Sequence, residues 1–472
     1  MYTLPKAKTA AAVEAAWSPT IDEASGPLYL AIADALSADV LSGRLSHGAR
    51  LPPQRALAAA LGIDFTTVSR AYAEATRRGL VEGRVGRGTY VRARRRAEAA
   101  SAASGLVDMS MNLPPRFDDP QLVARMWDGL SSLEAEGGLD LLLRYQEAGG
   151  TSHDRSAGAH WMSPRLPDVA VERILVCPGA QGALLAVAGI LAAPGETICT
   201  EALTYPGFRS LAAHLRIQVA GVPADADGIR PDAFEAICKD RRPKALYCTP
   251  TLQNPTTTTL PLSRREALVS IARHHDVKII EDDAYGALPS RSVSPLAAFA
   301  PDLVYHVAGL AKCIAPALRI AYLVVPDARA AARVAGAIRA TAGMASPLTA
   351  ALATEWIENG TAAAILAAIR REARVRQSIA AKILPPALTR ADPEGFHVWL
   401  QLAEPWTRGE FAAHLRSAGV GVVGSDAFAL VSPPEAVRLG LGAAASRAEL
   451  ERSLQIAADL LAQPPAMSSM VV

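Results

Sequence analysis

The chain has 472 residues, half of them hydrophobic and a fifth charged, with a net charge of +2. That composition excludes wholesale disorder and collagen-like repeats, and at about 100–200 residues per domain it leaves room for two to four domains. The overall charge names no partner, but its distribution does: residues 44–96 carry twelve arginines against Asp64, Glu74 and Glu82, a balance of +9 that points to an anionic partner for the N-terminal part.

Glu14 interrupts the only Ala-rich run near the N-terminus, which argues against a secretory signal. Five cysteines (Cys177, Cys199, Cys238, Cys248 and Cys313) are scattered and form no CxxC pair. A reducing cytoplasm is expected, with no disulfide framework and no metal site. Leu28, Ile32, Leu36 and Val40 recur every four residues and predict an amphipathic helix. Pro52-Pro53 precedes a short helix over 54–61, Gly62 ends it, and a second helix runs over 65–78, a helix-turn-helix pattern. Residues 80–91 alternate β-formers with glycines and predict a two-stranded wing. In the second helix Thr66, Thr67, Ser69 and Arg70 lie where side chains reach base edges and phosphates. Arg55, Arg84 and Arg87 would hold phosphates, or a base beside the wing. A small helical unit with a solvated basic face would share the charge, but not the order helix, helix-turn-helix, glycine-rich wing.

Residues 92–107, charged and then small, predict a linker between a domain over 20–91 and a second over 108–472. Beyond it, β-rich runs at 174–177, 197–200, 245–249, 277–281, 303–307 and 320–325 alternate with helical stretches. The fold class is therefore α/β, a mostly parallel sheet with helices on both faces. The longest uncharged stretch, between Arg173 and Glu196, contains Pro178, Gly179 and Gly182 and reads as strand, turn and buried helix rather than a membrane span.

Several residues of this second part fit a site for pyridoxal 5'-phosphate (PLP). Lys312 lies in an apolar, small-residue stretch, where burial lowers the amine pKa and suits it to a Schiff base. Asp282 ends an apolar strand at a carboxyl edge, where a carboxylate pairs with a protonated pyridine nitrogen. Gly179-Ala180-Gln181-Gly182 opens an apolar helix whose first amides suit a phosphate, and Arg319 adds a guanidinium. Singly these features are common: a lysine before a proline is usually surface, a glycine-rich turn usually only a turn, and an aspartate after a strand often a helix cap.

Their joint order resembles the fold-type I aminotransferases over most of residues 108–460. Asn254-Pro255-Thr256 looks like the family element whose asparagine contacts the ring hydroxyl. Asp282-Asp283-Ala284-Tyr285 looks like the element giving Asp282 to the ring nitrogen and Tyr285 to the ring oxygen. The resemblance makes Lys312 the Schiff-base lysine and Arg319 the phosphate arginine. It has Tyr205 stack on the ring, Tyr145 reach a neighbouring subunit's phosphate and Arg438 grip a substrate carboxylate. Where the family usually has Ser-x-Ser-Lys, this chain has Gly309 and Ala311 ahead of Lys312, so phosphate binding leans on Arg319 and the Gly179–Gly182 amides.

Leu51-Pro52-Pro53-Gln54-Arg55-Ala56-Leu57-Ala58, Arg78-Gly79-Leu80-Val81-Glu82-Gly83 and Gly86-Arg87-Gly88-Thr89-Tyr90-Val91 resemble the winged helix of the GntR family, with Pro53 where serine and Phe65 where arginine is usual. The two together are similar to the MocR (GabR-like) subfamily of bacterial regulators. The resemblance implies a cytoplasmic, PLP-dependent homodimer that binds a double-stranded DNA operator and senses a small amino compound through an external aldimine at Lys312, without a membrane. A working aminotransferase carrying an idle winged helix, and a regulator that binds its ligand without PLP, are the other readings the sequence leaves open.

Overall fold

The computed structural model describes residues 17–19, 27–41, 44–45, 48–84, 88–91, 106–135, 139–291 and 293–463. Two compact units divide the chain, one over residues 1–103 and one over 104–472. Of the expected linker, residues 92–105 lie outside the described residues, as does Arg87.

In the first unit the helices are Leu28–Leu41, Gln54–Leu61 and Phe65–Arg77. Gly62 takes the left-handed conformation (φ 65°) that closes the second helix, returning its amide to Ala58 and Ala59. Asp64 then caps the third by accepting from the Thr66 amide at 2.8 Å. Leu36, Leu57, Val68, Tyr72 and Ala75 bury their side chains in one small core together with Val81 and Val91 of the wing. The wing strands Val81–Arg84 and Gly88–Val91 are antiparallel, with Glu82 opposite Tyr90 and Arg84 opposite Gly88.

The second unit is built on a seven-stranded sheet in the order Ile174–Cys177, Ala321–Val324, Val304–Gly309, Lys278–Asp282, Ala245–Cys248, Thr197–Glu201, Gln218–Val222. Only Ala321–Val324 runs antiparallel to both its neighbours. The strands are buried on both faces, which is why they read as continuous apolar runs in the sequence. Two apolar cores sandwich the sheet. Leu184, Val187, Phe208, Val334 and Ile338 belong to one, and Leu268, Trp356, Ile365 and Ile369 to the other.

Six sheet strands fall where the sequence places them, within a residue or two at each end. The edge strand Gln218–Val222 is an addition: its burial alternates, so its apolar signal is diluted. A further four-stranded antiparallel sheet, Thr389–Ala391, His397–Gln401, Ala436–Gly440 and Val423–Gly424, was also not expected. Its strands are two to five residues long and gain their stability by covering a third core around Phe411, Leu415, Leu450 and Leu454. Among the described residues no helix is long and apolar enough to cross a membrane.

Candidate functional site

The site is assembled at the carboxyl ends of the central strands, where an open α/β sheet presents its crevice. Asp282 ends one of them. The register sets Ile280 opposite Tyr247 of the neighbouring strand, so Asp282, two residues on, lies on the face that carries Tyr247. The Tyr247 hydroxyl donates to Asp282 Oδ2 at 2.7 Å, and the Phe208 ring stacks on Tyr247 at 3.8 Å between centroids. Asp282 Oδ1 is closed off from water and has no partner. Burial pushes the carboxyl up to about 6, against the Tyr247 hydrogen bond and the charge of Lys312. A buried carboxylate with one oxygen satisfied and the other unmet fits a single N–H donor such as a protonated pyridine nitrogen.

On the opposite face of the same strand, Glu281 accepts from the Leu296 and Ala297 amides and from His306 Nδ1 at 3.0 Å. Burial raises this carboxyl, but His306 and Arg265 outweigh it and hold Glu281 below the usual range. Asp283 pairs with Arg165. The strand end that presents Asp282 is thus braced from behind.

Lys312 follows the strand Val304–Gly309 in a turn and is half-buried. Its Nζ donates to the Asn112 carbonyl oxygen. Burial, with Arg438 adding to it and Asp282 opposing, lowers the amine to about 8. Arg438, on the strand Ala436–Gly440, donates from Nη1 to Asn254 Oδ1 at 2.8 Å and from Nη2 to the Ser110 carbonyl, and its Nε is buried without a partner. Tyr285 is buried and receives a hydrogen bond at its hydroxyl from Asn112 Nδ2 at 2.8 Å. Tyr205 is half-buried at the N-terminus of the helix Pro206–His214. Its phenol is raised first by burial and then by Asp282, while Arg319 and Arg438 oppose.

The phosphate end is different. Gly179 begins a 13-residue helix to Leu191, and Pro178 before it supplies no side-chain cap. Gly179 has φ 75°, and a Cβ there would lie 3.2 Å from the Arg319 guanidinium carbon, so only glycine lets that group lie against the helix start. Arg319 itself is exposed. Gln181 Nε2 donates to the Gly207 carbonyl at 3.0 Å, and its Oε1 is buried without a partner. Across from the helix start a Cβ on Gly309 would meet Ala180 Cβ at 3.3 Å. Arg319 and the first helix amides, that of Gln181 included, thus form a cradle that a phosphate fits, without a hydroxyl from position 309 or 311.

The structure therefore brings Lys312, Asp282, Tyr285, Asn254, Arg438 and Tyr205 into one neighbourhood and joins Gly179, Ala180 and Arg319 at one helix start. Tyr145 stands apart, with 94% of its surface exposed. Sequence reasoning missed Tyr247, Ser110 and Asn112. Tyr247 carried only a faint signal, a hydroxyl-bearing side chain inside an apolar strand, which Tyr305 and Tyr322 share. The other two act partly through main-chain carbonyls, which no residue type announces.

In the first unit Thr66 is exposed on the first turn of its helix, with its hydroxyl donating to Asp64. Thr67 and Ser69 are half-buried. Arg55 is exposed with its guanidinium 5.9 Å from the Phe65 ring, and Arg70 lies 4.2 Å over the Tyr29 ring. Phe65, 43% exposed where the GntR pattern usually has arginine, thus forms a platform beside Arg55. Arg84 ends the first wing strand.

Residues 122–456 match the family Aminotransferase class I and II, and residues 28–91 match the bacterial regulatory proteins of the gntR family. The uncharacterized HTH-type transcriptional regulator YdeF of Bacillus subtilis is 29% identical over 451 residues, spanning 94% of this chain and 96% of its own. The HTH-type transcriptional regulator TauR of Rhodobacter capsulatus is 28% identical over 438 residues, spanning 84% and 88%. Among solved structures, an archaeal alanine:glyoxylate aminotransferase superposes with a TM-score of 0.69 at 26% identity, over 76% of this chain and 91% of that one.

Proposed function

Since this chain belongs to the aminotransferase class I and II family and carries a gntR-type domain ahead of it, we propose that it is a PLP-dependent, DNA-binding transcription regulator of the MocR type, whose large unit senses a small amino compound. The observation that carries the reading is one chain holding both a winged helix with Arg55 and Arg70 on its surface and a lysine, Lys312, whose electrostatic neighbours are Asp282 and Arg438.

When bound, PLP would supply an aldehyde for attachment to Lys312 and a ring that draws electrons once its nitrogen is protonated. The residues do the rest. Asp282 Oδ1 would accept from the protonated ring nitrogen, with Tyr247 fixing the carboxylate's rotation. Tyr285 and Asn254 would hold the ring oxygen, and Tyr205 would stack on the ring. Gly179, Ala180, Gln181 and Arg319 take the phosphate, and Arg438 takes a carboxylate of the incoming amino compound. Such a compound changes DNA binding only to the extent that it prefers one of two conformations.

The protein works in the cytoplasm as a homodimer in this reading. Val123, Trp127 and Leu130 are exposed at helical spacing along Pro120–Ala135, an apolar stripe that a second copy would cover, and the exposed Tyr145 would reach the partner's phosphate. Two winged helices then require two half-sites on the operator. Thr66, Thr67 and Ser69 read base edges, while Arg55, Arg70, Arg84 and Arg87 hold phosphates. Salt titration tests this directly: Arg55→Ala in the full-length protein should reduce the slope of log affinity against log salt by about one per bound winged helix, on specific and random duplex alike. Thr67→Ala should instead narrow the gap between the two duplexes. An unchanged slope in Arg55→Ala would remove that phosphate contact.

A further inference from the structure

Asn112 belongs to none of the motifs, yet two groups of the site converge on it. Its carbonyl oxygen accepts from Lys312 Nζ, and its Nδ2 donates to the Tyr285 hydroxyl at 2.8 Å. Its Oδ1 is closed off from water and has no partner, in a side chain of a residue only 6% exposed. The main chain on either side is fixed. Met109 O accepts from the Gly440 amide at 2.8 Å, and a Cβ on Gly440 or Gly442 would run into the carbonyls of Met111 or Leu113. Asn112 is therefore held by backbone packing against two glycines and aimed by Tyr285, which leaves Oδ1 as an oriented acceptor.

A buried acceptor without a donor costs free energy that a donor on a ligand recovers. The nearby cation that would take a carboxylate is Arg438, whose Nη2 bonds the Ser110 carbonyl two residues before Asn112 and whose Nε is unpartnered. A ligand with its carboxylate at Arg438 and its amine at Lys312 thus has Asn112 Oδ1 within the same small neighbourhood. We propose that Asn112 is a specificity-determining residue of the effector site, selecting amino acids that carry a further hydrogen-bond donor beyond the carboxylate and the reacting amine. The inference rests on the amino-compound-sensing reading above and narrows it to a chemical class: hydroxy- and diamino-acids over purely aliphatic ones. The physical basis is asymmetric. A site built to meet a donor discriminates strongly against an isostere that lacks it, because the site's own polar group is left unpaired.

L-Homoserine and L-norvaline are near-isosteric and differ by a hydroxyl against a methyl. Each is titrated into full-length protein loaded with PLP, and binding is followed by the visible absorbance. Homoserine should bind about tenfold or more tightly than norvaline. The ratio should collapse toward one in Asn112→Ala and persist in Asn112→Asp, which keeps an acceptor at that place. A merely structural role would weaken both ligands together and leave the ratio intact. A wild-type ratio near one, or equal ratios in wild type and Asn112→Ala, overturns the inference while leaving the sensing reading standing. Should Asn112→Ala not fold, loss of the ratio in Asn112→Asp overturns it as well. If neither amino acid perturbs the spectrum, the sensing reading fails and the inference falls with it.

Discussion

The two ends of the proposed cofactor site are built to different standards. The carboxylate end is deep and redundant: Asp282 is held by Tyr247, Tyr247 is stacked on Phe208, and the strand behind is braced by Glu281, His306 and Arg265. The phosphate end is shallow, resting on an exposed Arg319, one uncapped helix start and Gln181, with Gly309 and Ala311 where the aminotransferase pattern has hydroxyls. In the proposed reading, the residues that would attach and polarise PLP are all in place, while those that would grip its phosphate are fewer. A protein that uses PLP to register a ligand needs the first more than the second.

The largest effect on this contrast should come from Lys312→Ala, which removes the only lysine of the sequence between Asp282 and Arg319. Borohydride-reducible PLP should vanish, together with any response of DNA binding to amines. A reducible adduct that persists at the same site would show that attachment does not depend on this lysine.

Asp282→Asn should follow, with two effects of opposite sign. Loss of the charge that meets the ring nitrogen should weaken PLP retention by roughly 10- to 100-fold, the scale of a hydrogen bond to a charged group. The cofactor-free protein should become more stable. Burial raises the Asp282 carboxyl from 3.8 to about 6. A raised acid is penalised when it ionises, so the wild-type fold loses stability as pH rises from about 4 to 6 and carries up to ~3 kcal/mol of penalty above that. Chemical denaturation of both proteins at pH 4 and pH 7.5 measures the difference, which should appear only at the higher pH.

Lys312 and Asp282 stood out by residue type in apolar contexts, whereas Tyr285 and Asn254 were picked out only by the resemblance to aminotransferase motifs. The six sheet strands were legible because burial on both faces leaves unbroken apolar runs. The four-stranded sheet around Ala436–Gly440 was not, since its short strands are specified by the tertiary core beneath them. Arg438 was found by motif while the strand that carries it was missed. The supporting Tyr247, and the carbonyls of Ser110 and Asn112 that hold Arg438 and Lys312, depend on register and on main-chain atoms, to which side-chain patterns are blind.

Lys312 also sets a pH dependence. Burial and Arg438 lower its amine from 10.5 to about 8. The neutral amine is the nucleophile, so the rate of PLP uptake should climb as pH rises through about 8 and level off above it. A rate still climbing steeply at pH 10 would mean that the lysine is solvated as an ordinary surface amine.

The smallest effect should come from restoring a hydroxyl at the weak end. Ala311→Ser should slow PLP loss on dialysis by a few-fold, the value of one added hydrogen bond to phosphate. Position 309 is the poorer choice, because a Cβ there already presses on Ala180.

In the proposed reading, one chain couples chemistry at Lys312 to DNA. The most direct test follows PLP absorbance and the anisotropy of a labelled duplex in the same cuvette, using DNA that the full-length protein itself selects from random sequence, while an amine is titrated in. Absorbance and DNA affinity should change over the same concentration range, and both responses should disappear in Lys312→Ala. An absorbance change with unaltered DNA affinity, accompanied by sustained amino-group transfer to a 2-oxo acid, would contradict that reading and make the protein an aminotransferase that happens to bind DNA.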